Sequence, residues 1–134
     1  MTANILADTS AWIESFRKTG NDALQDFMRQ ALAEDSLMTC PVVILELLQG
    51  CKGDKEFEKL KSFLEILPSC DFGSNTWMTA YEIGFVLRRR GLTLPTVDIM
   101  LAALAKSHGF TLLHHDRHFE QMQTFVLFPT ITFL

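Results

Sequence analysis

The 134 residues predict an α/β fold in which a parallel sheet of about five short strands is covered by helices on both faces. Short apolar runs alternate along the chain with longer stretches of helical periodicity, the order in which parallel strands and their crossover helices follow one another. No internal repeat, low-complexity tract or linker interrupts that alternation, so residues 1–134 read as one domain, long enough for a proper core.

Ile5-Leu6-Ala7 is the first strand, and it delivers Asp8 to its C-terminal end. Thr9 or Ser10 is expected to cap a helix over residues 10–17, with Trp12 and Phe16 one turn apart on one face. Lys18-Thr19-Gly20-Asn21 breaks it, and Leu24, Phe27, Met28, Ala31 and Leu32 mark a second helix with Asp22 as its cap. Leu37-Met38 fits a small strand, and Pro41 suits the first turn of the helix that follows, where its missing N–H is harmless. That helix, residues 42–49, is apolar nearly all round and stops at Gly50. Residues 54–64 form an amphipathic helix, and Glu65-Ile66-Leu67 before Pro68 reads as a further strand. Ser74 caps a helix carrying Trp77, Tyr81 and Phe85 that ends in Arg88-Arg89-Arg90-Gly91. Residues 96–108 make a helix with almost no polar face, closed by Gly109. Residues 110–113 read as a buried strand and residues 125–128 as the last one.

A hydrophobic share of 48% against 21% charged residues is that of a globular chain and not a disordered one. The formal net charge of −4 excludes indiscriminate nucleic-acid binding, which needs a dominant positive field, but leaves room for a local basic patch. Cys40, Cys51 and Cys70 are odd in number and lack a CxxC spacing, which fits reduced thiols better than a disulfide framework or zinc knuckle. No apolar run reaches membrane-spanning length and Met1-Thr2-Ala3-Asn4 lacks a basic signal-peptide start, so the expected location is cytoplasmic.

Four carboxylates stand out, each with an ordinary explanation beside the functional one. Asp8, with Thr9 and Ser10, is at once a strand-to-helix turn and the place where open α/β sheets bind ligands. Glu46 lies in an apolar helix, where it marks either a narrow solvent edge or a charge that needs a partner. Asp98 suits the positive end of a helix dipole, yet Ala102 and Ala105 leave space beside it. Asp116 follows a strand and is either a turn residue or a ligand at the same sheet edge as Asp8. Carboxylates drawn together repel, and a hard divalent cation resolves the conflict: Mg²⁺, with Mn²⁺ as a substitute, prefers oxygen ligands. Such a centre orients a water and lowers its pKa, which suits phosphodiester hydrolysis.

These residues resemble the PIN-domain ribonucleases, specifically the toxin component of VapBC-type toxin–antitoxin pairs. The resemblance runs the whole chain: Asp8-Thr9-Ser10-Ala11-Trp12-Ile13 opens it, Glu46-Leu47-Leu48-Gln49-Gly50 is similar to the second signature, residues 98–105 to the third and residues 112–119 to the fourth. It implies a three-layer α/β/α sandwich in which Asp8, Glu46, Asp98 and Asp116 converge on Mg²⁺ or Mn²⁺, with the hydroxyl of Thr9 or Ser10 orienting Asp8 or a metal-bound water. It also implies endonucleolytic cleavage of RNA, commonly a tRNA or a ribosomal RNA loop, a homodimer, and a small antitoxin that reaches into the acidic site. Trp12 and Phe16 belong either to a groove for that partner or to the core. The chain departs from the pattern at His118, where many relatives carry another acid, at Leu45 and at Val97.

His114, His115 and His118 are a possible transition-metal cluster, but no cysteine completes a tetrahedral set, and we read them as partly exposed loop residues close to RNA phosphates. Arg88-Arg89-Arg90 either complements a helix C-terminus or positions phosphates. The absence of a Walker loop, a GxSxG elbow and a GxGxxG turn removes nucleotide-fuelled, acyl-transfer and dinucleotide chemistry. The alternative to an RNA-cutting toxin is a catalytically inactive PIN-like module that binds RNA or protein.

Overall fold

A computed structural model describes residues 3–134; Met1 and Thr2, the first half of the N-terminal segment read above, lie outside the described residues. The order is β1 (Ile5–Ala7), α1 (Thr9–Phe16), α2 (Asp22–Ala33), β2 (Leu37–Met38), α3 (Pro41–Gln49), α4 (Asp54–Ile66), α5 (Ser74–Arg89), α6 (Thr96–His108), β3 (Thr111–His114), α7 (Arg117–Met122) and β4 (Thr130–Thr132). The four strands are parallel and lie in the order β2-β1-β3-β4.

Successive strand residues point to opposite faces, so burial of neighbours tests whether both faces are covered. Leu6 and Ala7 on β1 and Leu112 and Leu113 on β3 are all at 0% exposure, and they are. Helices α1 and α6 both lie against β3; α1 packs with α2 and α3, and α3 with α4, whereas α6 packs with α5 and α7. The result is an α/β/α sandwich with α6 as its most buried helix: Leu101, Ala102, Ala103, Leu104 and Ala105 are fully buried. Gly109 ends α6 in the left-handed region at φ 72°, a conformation that costs other residues about 1–2 kcal/mol.

Two expected strands are corrected. The three residues Glu65-Ile66-Leu67 are the end of α4 and its C-cap, and all that remains of a fifth strand is one parallel bridge between Thr39 and Ser69. Ile66 is 81% exposed, so nothing drives that run into the sheet, and the Leu60–Leu64 spacing continues the helix to its end. The last strand is Thr130–Thr132, not residues 125–128. The N–H groups of Phe125 and Val126 both bond to the Met122 carbonyl, which holds the chain in a turn after α7. Pairing with β3 begins only when Leu112 N–H reaches Pro129 O at 3.0 Å, and the β-branched Thr130-Ile131-Thr132 then make the strand.

The helix caps also differ in detail. Asp8 itself caps α1, in place of Thr9 or Ser10; Asn21 caps α2, in place of Asp22; and Gly73 precedes α5, in which Ser74 is the first helical residue. Among the described residues no helix is long and apolar enough to cross a membrane. Cys40, Cys51 and Cys70 are free thiols.

Candidate active site

The chain leaves β1 in one direction to reach β2 and returns on the other side to β3, so the strand order reverses between β1 and β3. A crevice at the carboxyl ends of the strands belongs at such a switch point. Asp8 follows β1 and Asp116 follows β3, one on each side of it.

Both acids are N-caps. The Asp8 carboxylate accepts the Ser10 N–H at 3.0 Å, and Asp116 accepts the His118 N–H at 2.9 Å. In each case the aspartate meets one of the donors that a helix N-terminus leaves unpaired, which fixes the carboxylate at the strand end. The Ser10 hydroxyl also donates to Asp8 Oδ2 at 2.5 Å while accepting the His115 N–H at 2.9 Å, tying the end of β1 to the end of β3. Glu46 sits in the second turn of α3, where Oε1 accepts the Thr9 hydroxyl at 2.6 Å. Asp98 is in the first turn of α6, and its Oδ2 lies 2.8 Å from His118 Nδ1.

One pattern runs through all four acids. Asp8 Oδ2, Glu46 Oε1, Asp98 Oδ2 and Asp116 Oδ1 take the hydrogen bonds, and among the described residues the second oxygen of each carboxylate has no protein donor. The acids also share one field. Burial raises the Asp8 pKa from 3.8 to about 6, against the pull of its Ser10 hydrogen bonds, and the Asp98 and Glu46 carboxylates push it further up. Asp98 is raised as well, first by burial and then by Asp116 and Glu46, with His118 acting in the opposite direction. Hydrogen-bonded carboxylates that crowd Asp8 and Asp98 and each keep an oxygen in reserve have the chemistry of a donor set for a hard divalent cation.

The structure therefore brings Asp8, Glu46, Asp98 and Asp116 together, with Thr9 and Ser10 as the hydroxyls that orient Glu46 and Asp8. The histidines divide. His114 ends β3 and is fully buried, its ring 4.9 Å from that of Phe119, and burial lowers its pKa. It is a core residue, contrary to the expectation of an exposed loop histidine. His118 does face the acids, and Asp98, Asp116 and His118 can each offer one ligand atom within 4.8 Å of the others. Sequence alone put His118 in a possible transition-metal cluster and set that reading aside for lack of a cysteine; what it did not show is that a histidine two residues beyond an N-capping aspartate lies on the helix's first turn, beside Asp98.

Glu14 is a further buried acid, but it accepts the Asn21 N–H at 2.7 Å and fastens the α1–α2 loop. Trp12 is in the core at 1% exposure, whereas Phe16 is 54% exposed and lines a groove of about 430 Å³ with Leu60 and Phe63. Arg88, Arg89 and Arg90 are exposed at the C-terminal end of α5, with Arg89 over the Phe85 ring and Arg90 over the Phe125 ring. A cavity of about 560 Å³ opens at the other end of the strands beside Ala3, Asp35, Leu37 and Phe110 and contains none of the four acids.

The PIN domain family pattern matches residues 5–124. The chain is 34% identical over 120 residues to ribonuclease VapC11 of Mycobacterium tuberculosis, an alignment that covers 87% of this chain and 89% of that protein. Among solved structures, VapBC2 from Rickettsia felis, bound to a DNA fragment from their promoter, superposes with a TM-score of 0.77 at 18% identity and full coverage of both chains. Mycobacterium tuberculosis VapC20, a Sarcin-Ricin loop cleaving toxin, superposes with a TM-score of 0.63 at 19% identity over 93% of this chain and 99% of that one.

Proposed function

The chain belongs to the PIN-domain family, among the VapC ribonucleases, and on that premise we propose that it is the toxin of a toxin–antitoxin pair, an endoribonuclease whose Mg²⁺ or Mn²⁺ is held by Asp8, Glu46, Asp98 and Asp116. The observation that carries the reading is the set of carboxylates that each accept the protein's hydrogen bonds on one oxygen and keep the other free.

The chain's own residues do the positioning. Ser10 holds Asp8 through both its hydroxyl and its N–H, and Thr9 holds Glu46, so two neighbouring hydroxyls on α1 aim acids from two elements into one crevice. Asp98 and Asp116 close the other side, the first on α6 and the second at the start of α7. When bound, a divalent cation supplies orientation and acidification of a water and neutralises charge building on the phosphate. An open site suits a polymer substrate: the acids line a crevice at the sheet edge, away from the large cavity.

The partner is a small antitoxin protein. Phe16, Leu60 and Phe63, with Glu56 and Lys59 at the rim, form an apolar groove with charged edges, the kind of surface that takes the apolar face of a partner helix. Trp12, being buried, is no part of it. The toxin acts as a homodimer in this reading, and its helix α5 carries exposed Met78, Tyr81 and Phe85 suited to burial against a second copy.

Cleavage tests the proposal. Purified protein freed of any partner is expected to cut RNA when Mg²⁺ or Mn²⁺ is added and to stop in EDTA, and Asp8→Asn is expected to abolish cutting, as followed on a gel of labelled RNA. Full cleavage by Asp8→Asn would overturn the mechanism, and RNA binding that survives EDTA with no product would make the protein a binding module.

A further inference from the structure

His118 is a side chain at the strand ends that the carboxylate set does not account for. Two residues past the N-capping Asp116, on the first turn of α7, its ring reaches α6: Nδ1 is 2.8 Å from Asp98 Oδ2 and 3.4 Å from Asp116 Oδ1. The ring is 41% exposed, so core packing does not dictate where it lies. Neighbouring ligands of an octahedral ion with bonds of roughly 2.1 Å stand about 3 Å apart. Both observed separations are of that size: Nδ1 bonds to Asp98 in the metal-free protein, and in the tautomer that leaves Nδ1 unprotonated the same ring can share one ion with the two carboxylates.

The donor set is then mixed. Mg²⁺ is bound through oxygen and retains its waters, whereas transition-series ions accept imidazole nitrogen beside carboxylate oxygen. We propose that His118 Nδ1 is a ligand of the divalent cation together with Asp98 and Asp116, and that this nitrogen makes the centre prefer Mn²⁺ over Mg²⁺. The inference rests on the reading of the four acids as a cation site and adds to it which ion the site selects and which atom selects it.

The test uses the full chain stripped of metal, with Mn²⁺ and Mg²⁺ titrated separately by calorimetry and the Mn²⁺-loaded protein studied by pulsed electron paramagnetic resonance. Wild-type protein is expected to show the modulation of a nitrogen bound directly to Mn²⁺. His118→Asp, which returns an all-oxygen set, is expected to keep Mn²⁺ binding, lose the nitrogen modulation, and lower the ratio of Mn²⁺ to Mg²⁺ affinity by about tenfold or more. His118→Asn, neutral and similar in reach, is expected to lose the modulation too, and circular dichroism shows that either variant is folded. Mn²⁺ bound by the wild type without a directly bound nitrogen, a modulation that persists in His118→Asp, or an unchanged affinity ratio would each overturn the assignment while leaving the acid site standing. No Mn²⁺ binding by the wild type would overturn the cation site itself, and this inference with it.

Discussion

At the scale of the residue, Asp8 divides its work between its two oxygens. Oδ2 caps α1 and receives the Ser10 hydroxyl, and the other oxygen has no protein donor among the described residues. The arrangement favours binding over stability. Burial and its carboxylate neighbours raise the Asp8 pKa from 3.8 to about 6, so the metal-free folded protein holds an ionised carboxylate near neutral pH at a cost the unfolded chain does not bear. As pH falls through about 6 the folded state takes up the proton first; the stabilisation is complete below 3.8 and lost as pH rises back through about 6. A shift of this size corresponds to roughly 3 kcal/mol. Asparagine removes the charge and caps helices as well as aspartate does. In EDTA near neutral pH, Asp8→Asn is therefore expected to be more stable than the parent by up to about 3 kcal/mol, with the gap closing by about pH 4. Urea denaturation at a series of pH values measures it, and a gap that does not change with pH would place its cause outside this titration.

At the scale of the element, the site is assembled by hydrogen bonds between pieces distant in sequence. The Thr9 hydroxyl joins the start of α1 to Glu46 on α3, and Ser10 joins it to the end of β3 through the His115 N–H. Thr9→Val keeps shape and removes the donor, so Glu46 loses what aims it. The expected result is Mn²⁺ affinity lowered by about tenfold, as for other residues that orient a ligand. Titration calorimetry reads that loss, and an unchanged affinity would mean that Glu46 is held by something else. These links also show where sequence reading succeeds. Ile5–Ala7, the strand read at residues 110–113 and found at Thr111–His114, and the largely apolar α6 were legible because burial on both faces leaves continuous apolar runs, and Gly50 and Gly109 were legible as helix stops. The acids were legible because each interrupts or ends such a run. What was not legible depended on partners. Whether Asp8 or Ser10 caps α1 is decided by a hydroxyl turned toward Asp8, not by residue type. Residues 125–128 have the apolar content of a strand, yet Val126 and Phe128 are buried against the core and the sheet is joined only beyond Pro129. His118 looked like a loop residue because its neighbour in space, Asp98, is 20 positions away.

At the scale of the whole molecule, the charge distribution sets a problem for a protein that cuts RNA. The net charge is −4, and the acids gather where a phosphate must come. Long-range attraction therefore cannot bring the substrate in, and affinity must come from local positive contacts. Arg88, Arg89 and Arg90 are the one basic run. They end α5, which packs antiparallel against α6, Thr76 meeting Ser107 at one end and Gly84 lying against Ile99 toward the other. That places the arginines toward the Thr96 end of α6, where Asp98 sits. Rings beneath Arg89 and Arg90 hold the guanidinium planes while leaving their edges for phosphate oxygens. On single-stranded RNA each phosphate contact contributes about 0.7 to the slope of log affinity against log salt concentration. In an Asp8→Asn background, where no cleavage is expected, replacing the arginines with glutamine should weaken RNA binding and flatten that slope by up to about 2 if all of them touch phosphates. Fluorescence anisotropy of labelled RNA across a salt series gives both quantities. Weakened binding with an unchanged slope would mean that the run supports the RNA without ion pairing. No change in either would return it to the role of a solvated helix end, complementing the α5 dipole.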